Sequence, residues 1–118
     1  MIRRRLSATL LVLFTTLAAS HAFAHSKLVA SVPAEAAVLT AAPPTLQLTF
    51  NEPLRLTALT LESADGPSRA IENLPADQQT QFELTPPVLA AGPYTLTWRG
   101  IGKDGHVVSG TVKFTFAP

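Results

Sequence analysis

Tyr94-Thr95-Leu96-Thr97-Trp98-Arg99 alternates apolar and polar side chains without a break. Successive side chains of an extended strand point to opposite faces, so this run buries one face and wets the other. Leu46-Gln47-Leu48-Thr49-Phe50 has the same period, as does Thr111 to Phe116, where Val112, Phe114 and Phe116 form the apolar face. Lys27 to Val32, Ala58 to Ser63, Arg69 to Leu74 and Gln81 to Leu84 carry weaker versions, which brings the expected count to about seven short strands. Pro33, Pro43-Pro44, Asp65-Gly66-Pro67, Pro75, Pro86-Pro87, Gly92-Pro93 and Asp104-Gly105 punctuate them. Proline at this density breaks helices, and the spacing of strands and turns is that of an antiparallel sandwich. The expected fold class is all-β, a small immunoglobulin-like β-sandwich.

The chain before this domain reads differently. Arg3-Arg4-Arg5 precedes the apolar run Leu6 to Ala19, which ends in small residues, the pattern of a secretory signal peptide. Ala22-Phe23-Ala24 fits the small-residue cleavage rule better than Ala18-Ala19-Ser20, and either cut leaves a histidine as the new N-terminus. The organisation expected is a signal peptide over 1–24 and one domain over 25–118. Cleavage removes three of the nine basic residues and no acid, so the mature domain is mildly acidic. That balance, with no basic stripe, argues against nucleic acid as a partner. The chain has no cysteine, which excludes disulfides, thiol redox chemistry and thiolate metal sites.

Two histidines remain in the mature domain, His25 at the expected terminus and His106 in Asp104-Gly105-His106. A terminal histidine offers a metal its α-amine and imidazole Nδ1 together, closing a six-membered chelate ring. The α-amine, with an ordinary pKa near about 8, gives up its proton to a divalent ion far more readily than a lysine amine. Asp104 and His106 stand two apart, which on an extended strand puts both side chains on one side, with Gly105 leaving room between them. Three nitrogens and a carboxylate suit tetragonal Cu(II), with Ni(II) the main competitor. The only methionine is Met1, so thioether ligands for Cu(I) are absent from the domain. Against this stands a simpler reading, in which Asp-Gly is a hairpin turn and His106 an exposed strand residue. Trp98, in step with Tyr94 and Leu96, is expected in the core.

His25-Ser-Lys-Leu, Ser31-Val-Pro, Leu48-Thr-Phe-Asn-Glu-Pro, Leu89-Ala-Ala-Gly-Pro-Tyr-Thr-Leu-Thr-Trp and Asp104-Gly-His, in this order, resemble the CopC family of periplasmic copper-resistance proteins over nearly all of 25–118. The resemblance implies a Greek-key β-sandwich and one Cu(II) per chain, held by the amine and imidazole of His25, by Asp104 and by His106. It implies a supporting role for Glu52, which matches the Glu of the family's Phe-Ser-Glu segment and would orient a ligand by hydrogen bonding. The chain departs from the family in lacking its Met-rich Cu(I) loop and in having Gly100-Ile-Gly-Lys103 before the aspartate. The function expected is sequestration or delivery of Cu(II) in copper resistance, in the periplasm, by a monomer. Its expected partner is an inner-membrane copper transport protein, and no turnover is required. Two other functions compete. A histidine-brace copper oxygenase is disfavoured by the carboxylate ligand, which opposes reduction, and a metal-free adhesion or assembly module is permitted by the fold alone.

Overall fold

The computed structural model describes residues 26–118, so the signal peptide expected over 1–24 and His25 lie outside the described residues. Seven strands form: β1 (Leu28–Val32), β2 (Ala37–Leu39), β3 (Leu46–Ser63), β4 (Ser68–Ala70), β5 (Gln79–Leu84), β6 (Gly92–Gly102) and β7 (Val107–Phe116). No helix occurs among the described residues.

The organising element is β3, eighteen residues long, which merges two strands that the sequence pattern separates. Its first half pairs antiparallel with β1 on one side and β5 on the other, and its second half with β4 and β6. The change of partners falls at Asn51-Glu52-Pro53, and Pro53, with no N–H to give a ladder, sits where the pairing with β5 shifts register. One strand thus serves both layers of a β-sandwich, which is why the hydrogen-bonded ladder is continuous in the order β1-β3-β6-β7-β2. The β3–β6 pairing skips β4 and β5, the nonlocal connection of a Greek key.

Each long strand buries the face its alternation predicts. Leu46, Leu48 and Phe50 point into the core from β3, Tyr94, Leu96 and Trp98 from β6, and Val112 and Phe114 from β7. Trp98 is 4% exposed and meets Phe50 edge to face at 4.9 Å, joining the two layers. Phe50 in turn meets Phe82 of β5 edge to face at 5.9 Å. Tyr94 stacks on Phe114 at 5.5 Å.

Two details differ from the sequence pattern. The strand expected over Arg69 to Leu74 pairs only as Ser68–Ala70, because Asn73 takes a left-handed backbone (φ 59°) and Pro75 follows. The three residues of β2 pair in parallel with the end of β7, and Ala37-Val38-Leu39 is too short and too uniformly apolar to show a period.

Tyr94 ties the start of β6 to the loop before it, donating its hydroxyl to the Ala90 carbonyl at 2.7 Å. This is the tyrosine-corner arrangement of immunoglobulin-like sandwiches. Tyr94→Phe keeps the ring and its stacking and loses one hydrogen bond, so the expected cost is about 1 kcal/mol. For a domain of this size that lowers Tm by about 4–8 °C, and an unchanged melting curve would show the bond to be dispensable.

Candidate metal-binding site

The β6–β7 hairpin turns through Lys103-Asp104-Gly105. Gly105 N–H donates to the Gly102 carbonyl at 3.0 Å, Gly102 N–H donates to the His106 carbonyl at 3.0 Å, and Gly105 takes φ +80°. This is a type I turn closed by a left-handed glycine, and glycine adopts that backbone without steric cost.

Asp104 and His106 do meet, as their spacing predicts, but by a different route. Asp104 lies on the turn, not on an extended strand, and its side chain folds over to His106. Oδ1 accepts the His106 backbone N–H at 3.0 Å, and Oδ2 stands 2.8 Å from His106 Nδ1. The second contact is a hydrogen bond whose direction follows the imidazole tautomer. It is also the separation of two neighbouring donors that each lie about 2 Å from a shared tetragonal ion. Both side chains are solvent-accessible, at 61% for His106 and 37% for Asp104, so an ion reaches them without rearrangement of the core.

The carboxylate needs a small neighbour. A β-carbon on Gly102 would stand 3.0 Å from Asp104 Oδ1 and 3.6 Å from Ser26 Oγ, so the bare backbone there leaves space for both side chains. Ser26 is buried, and its hydroxyl donates to the Pro53 carbonyl at 3.3 Å. Glu52 and Lys103 complete a pocket of about 110 Å³ that Ser26, Pro53, Gly102 and Asp104 also line. The residue next to His25, the expected outer carboxylate Glu52 and the expected ligand Asp104 thus share one pocket, with His106 attached through Asp104.

Ser26 and Gly102 were not legible as pocket residues in the sequence. Their places rest on contacts between the residues before β1, the β3 corner and the β6–β7 turn, which residue spacing along one chain does not show. Among the described residues no group of three His, Asp or Glu side chains gathers as a complete metal cluster.

The fold is an all-β sandwich that carries the Asp104–His106 pair on the turn between β6 and β7. The family model for the CopC domain matches residues 28–117, and the chain belongs to that family. Copper resistance protein C of Xanthomonas campestris pv. juglandis is 32% identical over 122 positions, covering 95% of each chain. Protein YobA of Escherichia coli K12 is 34% identical over 118 positions, covering 95% of this chain and 94% of YobA. Among solved structures, CopC from Methylosinus trichosporium OB3b superimposes with a TM-score of 0.69 at 28% identity, over 80% of this chain and 95% of that one. The methionine-rich copper resistance protein PcoC from Escherichia coli does so with a TM-score of 0.56 at 31% identity, over 80% of this chain and 100% of PcoC.

Proposed function

We propose that the protein is a periplasmic copper carrier of the resistance or homeostasis system, which binds one Cu(II) per chain and releases it without turnover. Four donors form the site: the α-amine and imidazole of His25 after signal cleavage, the carboxylate of Asp104 and the imidazole of His106. Glu52 stands beside them to accept a hydrogen bond from a ligand N–H, which orients that ligand and raises its basicity. The ion is cargo in this reading, passed to an inner-membrane copper transport protein, and the chain acts as a monomer.

The observation that carries the reading is the 2.8 Å approach of the Asp104 carboxylate to His106 Nδ1, in a turn that shares a pocket with Ser26. Ser26, which follows His25 in the sequence, is one of the residues lining that pocket. Membership in the CopC family and relatives named for copper resistance point to the same metal. An all-nitrogen-and-oxygen donor set favours Cu(II) over Cu(I), and the absence of cysteine and of any methionine but Met1 removes the soft ligands that Cu(I) prefers.

The test is a Cu(II) titration of the mature protein, verified by mass to begin at His25, followed by electron paramagnetic resonance. One equivalent bound with a tetragonal, nitrogen-rich spectrum is expected. His106→Ala should weaken binding by roughly a hundredfold or more, because it removes a direct donor, and even outer-shell partners cost about 10–100-fold. Binding as tight in His106→Ala as in the parent would sink the proposed site.

A further inference from the structure

We propose that Asn51 is a positioning residue for the amino-terminal donor, a role that rests on the copper-carrier reading above. Lys27 N–H donates to Asn51 Oδ1 at 2.6 Å, and Asn51 N–H donates back to the Lys27 carbonyl at 3.0 Å. The two residues thus grip each other through one side-chain and one backbone bond. Regular β1–β3 pairing begins only beyond this point, at Leu28 opposite Phe50, and is at once interrupted by a register shift between Leu28 and Ala30. At the very end of the strand a single backbone bond holds Lys27, and the Asn51 side chain adds the second. With the Ser26 hydroxyl on the Pro53 carbonyl, residues 26 and 27 are fastened to the β3 corner at both positions that precede β1.

The grip has a consequence for a ligand two residues upstream. A chelating terminus that must be immobilised when the ion arrives loses conformational freedom at that moment, and pre-ordering the adjoining backbone lowers the cost. Asn51 is exposed and lies outside the hydrophobic core. It contributes no donor atom to the ion in this arrangement, and acts through Lys27 and Ser26 on where the α-amine and imidazole of residue 25 can reach.

Asn51→Leu keeps the size of the side chain and removes the acceptor, Asn51→Ala removes both, and Asn51→Asp keeps the acceptor at the same reach. Each mature variant is titrated with Cu(II) alone, and the spectrum and apo melting temperature are recorded beside the parent. The expected result is a roughly tenfold or greater loss of affinity in Asn51→Leu and Asn51→Ala, with the parent's single paramagnetic species replaced by a mixture. Their apo melting temperatures should stay within a few degrees of the parent, and Asn51→Asp should restore the single spectrum. Amide hydrogen exchange at Lys27 gives a readout independent of copper, and should be fast in the two acceptor-free variants alone. Parent-like affinity and one species in Asn51→Leu, with a parent that binds tightly, would overturn the role of Asn51 and leave the copper site standing. A parent that fails to bind would overturn both.

Discussion

Acetylating only the α-amine of His25 in the mature protein is expected to lower Cu(II) affinity by more than about a hundredfold, exceeding what loss of an outer-shell partner costs. The change leaves every side chain in place. It converts the terminal α-amine, which a divalent ion deprotonates readily, into an amide nitrogen that does so poorly, and it breaks the six-membered ring that amine and imidazole form together. An acetyl group brings no amine of its own, so no replacement chelate forms with the imidazole, whereas an added residue would supply one through its amine and the intervening amide. Folding should be untouched, because Ser26 and Lys27 remain fastened to Pro53 and Asn51. Apo forms of the two proteins should therefore melt together while their copper titrations part. Equal affinity and equal spectra would show that the terminus is not a ligand, and would leave Asp104 and His106 as an ordinary turn contact.

That experiment also separates the proposed carrier from a metal-free sandwich, which the architecture alone permits. A metal-free module has no reason to notice an acetyl group on its first amine. The copper reading makes cleavage itself part of the site's assembly, since the uncleaved chain has no α-amine at residue 25.

How the pair at the tip is built shows what the sequence could and could not convey. Asp104-Gly105-His106 was legible as two donors on one side, and the structure brings them to 2.8 Å. The cause differs from the extended geometry that the spacing suggests. A turn with Gly105 in the left-handed region swings His106 back, so that Asp104 accepts its backbone N–H and stands 2.8 Å from its ring Nδ1. The same letters can encode both a hairpin turn and two neighbouring donor atoms, so the turn and the proposed ligand role are compatible. Strand alternation was legible in β6 from Tyr94 onward, and in β7 around Val112 and Phe114, because there alternate residues are buried. It failed within β3 for two reasons that only pairing reveals. The strand changes layers at Asn51-Glu52-Pro53, and a register shift between Leu56 and Ala58 lets both Leu56 and Leu59 face the core, three residues apart. A strict period of two does not survive such a bulge.

The largest effect on stability is expected from Gly110→Ala. Gly110 lies directly opposite Trp98 in the β6–β7 ladder, and the indole lies across its α-carbon. An added β-carbon would stand 2.7 Å from Trp98 Cζ2 and 2.8 Å from Cε2 and Nε1, closer than any relaxed carbon contact. A flexible side chain could yield, but the indole is a rigid plate with Phe50 edge-on against it at 4.9 Å, and Phe50 is held in turn by Phe82. The displacement must pass through all three rings or push β7 away from β6. Overpacking of this kind costs about 1–3 kcal/mol, which lowers Tm by about 4–8 °C for each kcal/mol in a domain of this size. The Trp98 N–H is buried with no hydrogen-bond acceptor, so a smaller apolar ring in its place would give up no bond. Trp98→Phe in the Gly110→Ala background should therefore recover part of the loss. Its cost measured against Gly110→Ala should be well below its cost in the parent, a coupling that contact between the two positions requires. Equal costs in both backgrounds, or a Gly110→Ala melting curve superimposed on the parent's, would mean that the indole does not occupy the space above Gly110.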